Sequence, residues 1–198
     1  MRWSDSARYV LRKQGKVLLA LLLLLWGLEL IDTLLLGQSL NRFGIQPRSL
    51  TGLRGVLFAP LLHNGLGHLA ANTIPLMVLA WLTMVPRLKD FWWATLLATL
   101  VGGLGTWLTG SSGSLHLGSS ILIFGYLGFI LGRAYYERSL SALFVALIAV
   151  ALYGGALWGL LPGRIGISWQ GHLFGFIGGV LCAAMLGRQH HRLRQRSD

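Results

Sequence analysis

Acidic side chains are scarce in this sequence. Its 198 residues hold six carboxylates, Asp5, Glu29, Asp32, Asp90, Glu137 and Asp198, and a single cysteine, Cys182. One cysteine excludes a disulfide scaffold and a multi-cysteine metal centre. The zinc signature H-E-x-x-H is absent, which argues against a zinc metalloprotease. Charged residues of both signs make up only 12% of the chain, against about 25% in a soluble domain. Apolar residues are abundant instead, at 54% before any of the 27 glycines is counted. That excludes intrinsic disorder and leaves more apolar surface than a water-soluble core of this size can hide. The formal net charge is +11. Its cations sit in short runs between apolar blocks, so no nucleic-acid partner is expected. The composition reads as a polytopic membrane protein.

A bilayer core takes about 20 apolar residues as helix, and six such blocks are present. They run Val17–Leu36, Leu66–Val85, Phe91–Thr109, Leu117–Arg133, Leu140–Leu161 and Trp169–Leu186. The predicted fold is an all-α bundle of six transmembrane helices over residues 17–187. A tail of residues 1–16 precedes it, a basic tail of residues 188–198 follows it, and one long loop (Gly37–Gly65) lies between the first two spans. The first apolar run is too long for a signal-peptide core, and no small-residue cleavage site follows it. Thirteen of the 17 Lys and Arg fall on one side of this arrangement. Arg42, Arg48, Arg54 and Arg164 fall on the other. The positive-inside rule then puts both termini in the cytoplasm. The terminal RQHHRLRQR run also suits a surface of anionic lipid.

Polar groups inside apolar spans are expensive and point to function. His68 and Asn72 open the second span, Ser119 and Ser120 the fourth, and His172 the sixth. Even-numbered spans run from outside to inside in this topology, so all of them gather in one outward-facing layer. No ionisable chain continues to the other face, which argues against a transporter. No carboxylate lies in the layer, so paired-carboxylate catalysis is not expected. Glu29 and Asp32, at the outer end of span one, are expected at the interface or paired with loop arginines. What remains is a hydroxyl, imidazoles and an amide. A serine nucleophile needs a base within reach, and imidazole has the pKa for it. His68 and Asn72, four residues apart on one helical face, can aim at one point. The start of span four adds backbone N–H groups and the positive end of a helix dipole. The economical chemistry is acyl transfer or hydrolysis by a Ser–His dyad, with no metal or organic cofactor required.

At these residues the sequence resembles the rhomboid intramembrane serine proteases. The likeness rests on H-x4-H-x3-N, present as His63, His68 and Asn72 in LLHNGLGHLAANTIPL. It rests also on Gly118-Ser119-Ser120 with ILIFGYLG following, and on His172 in SWQGHLFGFIGG. It spans roughly Leu53 to Gly187. The resemblance implies a six-helix rhomboid-like bundle in a prokaryotic plasma membrane, cleaving transmembrane-helix substrates with a small residue before the cut and access past span five. Ser120 would be the nucleophile, with Ser119 as the alternative, and His172 the general base. His68, Asn72 and the Ser120 N–H would form the oxyanion hole. His63 would hold the first loop, and Phe124 would lie under the catalytic histidine. Gly175 and Gly179, on the His172 face of span six, and Gly128 with Gly132 in span four, suit the close helix approach a dyad requires. The loop Leu161–Ser168 is a candidate cap.

One position departs from the pattern. The family motif continues with Gly after the serine, and here Ile121 follows. A stiff β-branched side chain at that point is expected to crowd the dyad or the neighbouring helix and lower efficiency. The alternative function is therefore a catalytically impaired rhomboid-like protein that binds membrane clients.

Overall fold

The computed structural model describes residues 5–163 and 166–194, with side chains as far as residue 187. Among these residues the chain forms seven α-helices. They are α1 (Asp5–Leu35), a single turn α2 (Gly55–Phe58), α3 (Leu66–Met84), α4 (Leu88–Thr109), α5 (Ser120–Glu137), α6 (Leu140–Tyr153) and α7 (Trp169–Arg194). The extended pairing among them is one isolated antiparallel bridge between Ile45 and His116.

Five helices are long and apolar enough to cross a membrane: α1, α3, α4, α6 with its continuation to Leu160, and α7 as far as Gly187. The chain is an integral membrane protein. The remaining long helix, α5, is less apolar overall because it ends in Arg133, Tyr135, Tyr136 and Glu137. Every residue from Ile121 to Ile130 is buried, and the helix packs on α3, α4, α6 and α7. A helix with no lipid-facing side needs close approach more than apolar surface. Its glycines supply that approach. A Cβ on Gly128 would strike the Phe176 carbonyl of α7. One on Gly179 would strike the Gly125 carbonyl of α5, and one on Gly175 the Ile121 carbonyl. Gly132 faces Ala183 and Val180. The peripheral α1 and α6 show the opposite pattern, being the most apolar helices and the least buried.

Several boundaries differ from the predicted ones. α1 covers Asp5–Leu35 and so extends ahead of the apolar span that opens at Val17. The buried Gln14 explains the extension, since its amide donates to the Met84 carbonyl at 3.1 Å. That carbonyl lies at the end of α3, where no helical N–H remains to meet it. The predicted span Leu117–Arg133 is displaced to Ser120–Glu137. Gly118 has φ +127°, a conformation no helix accepts, and Arg133 holds Glu137 at 2.9 Å across the last turn. The predicted span Leu140–Leu161 is α-helical only to Tyr153, and residues Gly154–Leu160 wind as a 3₁₀-helix. Three glycines in this stretch weaken the α-helix.

The long first loop is built of helical turns: Ser39–Phe43, Thr51–Arg54, α2 and Ala59–Leu61. Arg48 pins it to the end of α4, donating to the carbonyls of Leu108 (3.1 Å) and Gly110 (2.8 Å). Among the described residues, Glu29 and Asp32 form no ion pair with a loop arginine. Both are buried. Asp32 accepts the Leu40 N–H at 2.9 Å, and Glu29 accepts the Thr33 hydroxyl at 3.1 Å. Asp32 thus meets a backbone N–H where the chain leaves α1, while Glu29 is held within the helix by Thr33. Arg2 and Arg164 lie outside the described residues, as do the side chains of the 188–198 tail.

Candidate active site

The N-termini of α3, α5 and α7 meet at one end of the bundle, under the first loop and the loop that follows α4. Between them opens a cavity of about 740 Å³ whose lining includes His68, Asn72, Ser120, Phe124 and His172. Three stretches far apart in sequence thus face one space.

Ser120 is the first residue of α5, so its N–H has no acceptor within the helix. Its hydroxyl lies 3.0 Å from His172 Nε2. The other ring nitrogen, Nδ1, is 3.0 Å from the Gly159 carbonyl. A carbonyl only accepts, so Nδ1 carries the proton and Nε2 presents its lone pair to the serine. The His172 ring stacks on Phe124, with centroids 4.1 Å apart and planes 13° from parallel. Gly159 belongs to the 3₁₀ segment after α6. A Cβ there would come within 3.0 Å of Phe124 and 3.2 Å of His172 Nδ1.

His68 is oriented by the same logic. The backbone N–H of Asn64 donates to its Nδ1 at 3.3 Å, which leaves Nε2 as the N–H donor. That nitrogen faces Gly118, where a Cβ would come within 3.1 Å of it and 3.8 Å of the Ser120 hydroxyl. Only glycine combines this approach with φ +127°. One turn along α3, the Asn72 amide nitrogen is buried and has no hydrogen-bond partner among the described residues. The His68 and Asn72 side chains both line the cavity beside Ser120.

His63 and Ser119 stand apart from the cavity. Both are completely buried. His63 Nε2 accepts the Ser119 N–H at 3.3 Å and lies 3.0 Å from its hydroxyl. His63 sits ahead of α3, and joins the end of the first loop to the turn that presents Ser120. Ser119 is thus buried away from the cavity that Ser120 lines. Of the candidate cap, Gly166, Ile167 and Ser168 line the cavity, and residues 164–165 lie outside the described residues.

Ile121 does not crowd the Ser120–His172 pair. Its side chain is buried in a separate cluster with Ile45 and Ala59. It packs against Gly102 of α4 and Gly171 of α7, where added Cβ atoms would fall 2.6 and 3.1 Å from it. Glycines on two neighbouring helices make room for the branched side chain, and the Ser120–His172 distance is kept.

Sequence reasoning missed Asn64 and Gly159. Both act through backbone groups, whose roles leave no mark in side-chain type.

The Rhomboid domain family model matches residues 51–189. An uncharacterized protein of Mycobacterium tuberculosis is 44% identical over 188 residues, covering 91% of this chain and 78% of its own. An uncharacterized protein of Mycobacterium leprae is 41% identical over 188 residues, covering 91% and 74%. No solved structure matches significantly. With the family model covering well over half of its length, the chain belongs to the rhomboid family.

Proposed function

We propose that this protein is an intramembrane serine endopeptidase that cleaves transmembrane segments of other membrane proteins. The observation that carries this reading is the hydroxyl of Ser120 3.0 Å from His172 Nε2, in a cavity that His68 and Asn72 also line. The family supports it, as does the neutral tautomer imposed on His172 by Gly159.

In this mechanism His172 Nε2 takes the Ser120 proton as Oγ attacks the scissile carbonyl. The tetrahedral oxyanion is met by His68 Nε2–H, the Asn72 amide and the Ser120 N–H. His172 returns the proton to the leaving amine as the C–N bond breaks. Water, deprotonated by the same nitrogen, then splits the acyl-enzyme into a carboxylate and free Ser120. The substrate helix has to unwind near the cavity, since a regular helix locks its carbonyls in hydrogen bonds. The Lys and Arg bias supports cytoplasmic termini and a site toward the outer face of a bacterial plasma membrane.

The test is cleavage of a fluorogenic transmembrane substrate by the purified chain in liposomes. The wild type is expected to cut, and Ser120→Ala and His172→Ala to be inert. Equal cleavage by Ser120→Ala would overturn the proposal. A wild type that binds the segment without cutting would favour a client-binding role.

A further inference from the structure

A second polar chain crosses the mouth of the same cavity. Ser168 stands immediately before α7. Its carbonyl accepts the His172 N–H at 3.1 Å and its hydroxyl accepts the Gly171 N–H at 3.4 Å, so it is the N-cap of the helix that carries His172. The capping hydroxyl lies 2.7 Å from His116 Nδ1. His116 Nε2 lies 2.7 Å from the Ser114 hydroxyl, and Ser114 donates to the Ser111 carbonyl at 2.6 Å.

The proton directions follow from these partners. Ser114 spends its one proton on Ser111, so it accepts from His116, and Nε2 carries the ring proton. Nδ1 is then a lone pair and takes the Ser168 proton. That turns the Ser168 lone pairs toward Gly171. Burial holds the His116 pKa below the ordinary histidine value, which keeps this neutral arrangement at pH 7. The His116 backbone is fixed too, exchanging hydrogen bonds of 2.8 and 2.9 Å with Ile45. His116 is thus anchored to the first loop by its backbone and holds the first turn of α7 by its imidazole.

We propose that His116 is a positioning residue, which through the cap Ser168 sets the first turn of α7 and so the reach of His172 to Ser120. This rests on the reading of Ser120 and His172 as the dyad. His172 is four residues beyond Ser168, so a displaced cap displaces the base. A misplacement of about 1 Å can cost about 10²-fold in rate.

The experiment uses the purified full chain. It measures the labelling rate with a fluorophosphonate probe together with kcat and KM on a transmembrane substrate. His116→Phe is expected to lower kcat and labelling about 10- to 100-fold at unchanged KM. His116→Asn, whose carboxamide oxygen can accept from Ser168, should recover most of the loss. Adding Ser168→Ala to His116→Phe should bring no further loss, because the two act as one unit. A His116→Phe variant that labels at the wild-type rate overturns the inference, and so does one that changes only KM, which would make His116 a substrate contact. If His116→Phe does not fold, Ser168→Ala decides alone: the same loss of kcat and labelling supports the inference, and a full rate overturns it. A wild type that never labels would instead mark failure of the dyad reading.

Discussion

The Gly159 carbonyl lies 3.0 Å from His172 Nδ1. A backbone acceptor thereby fixes the tautomer of this imidazole, the task that a buried aspartate performs in a Ser-His-Asp triad. The carbonyl comes from the 3₁₀ segment after α6, so the imidazole is oriented by a helix other than its own. A side chain at 159 tests the contact. Gly159→Val should lower kcat by about tenfold or more, and Gly159→Ala by less, both at unchanged KM. Steady-state cleavage kinetics check this, and an unaffected valine variant would speak against so close a fit.

Asn72 offers a cleaner separation of activity from stability. Its buried amide nitrogen has no partner among the described residues, so Asn72→Ala removes no hydrogen bond shown for that group. Loss of one oxyanion donor typically costs about 10²–10³ in rate. Cleavage should fall by that order while the thermal unfolding midpoint in detergent holds or rises, since an unsatisfied buried donor is itself costly.

The departure at Ile121 predicts the reverse. Because the side chain fills a slot between Gly102 and Gly171, Ile121→Gly should not raise activity. Removing a buried aliphatic side chain costs about 2–5 kcal/mol, and glycine within a helix adds about 1 kcal/mol. Ile121→Val should cost about 0.5–1.5 kcal/mol and keep cleavage. Denaturant unfolding in detergent measures all of these.

Ser119 and His63 form a structural pair. Ser119→Ala should retain probe labelling at Ser120 within a few-fold of wild type. His63→Ala leaves the buried Ser119 N–H and hydroxyl unmet, at about 1–3 kcal/mol for each such group, and should lower the unfolding midpoint. Scanning both variants by circular dichroism separates the two effects.

How much of this was legible in the sequence depends on which atoms do the work. The bundle was legible because lipid demands long apolar runs, and α1 and α6, the most apolar and least buried of the candidate spans, gave the plainest signal. α5 was harder to bound because its neighbours satisfy it on every side. The meeting of His68, Asn72, Ser120 and His172 was legible because polar side chains at one depth of a membrane need a reason. Gly159 and Asn64 were not, since any residue carries the same carbonyl and amide. Ser168 did leave a signal, a serine directly before an apolar helix. The crowding expected of Ile121 failed for want of one fact the sequence hides, that Gly102 and Gly171 face it across space. The partner of Asp32, the Leu40 N–H, was not legible, since a carboxylate that meets a backbone N–H looks in sequence like one that meets an arginine.

The central claim is that Ser120 is a nucleophile activated by His172. The most direct measurement is mass-spectrometric mapping of the fluorophosphonate adduct on the purified protein. The account predicts one adduct on Ser120, abolished in His172→Ala and unchanged in Ser119→Ala. An adduct on any other residue, or undiminished labelling of His172→Ala, would contradict it.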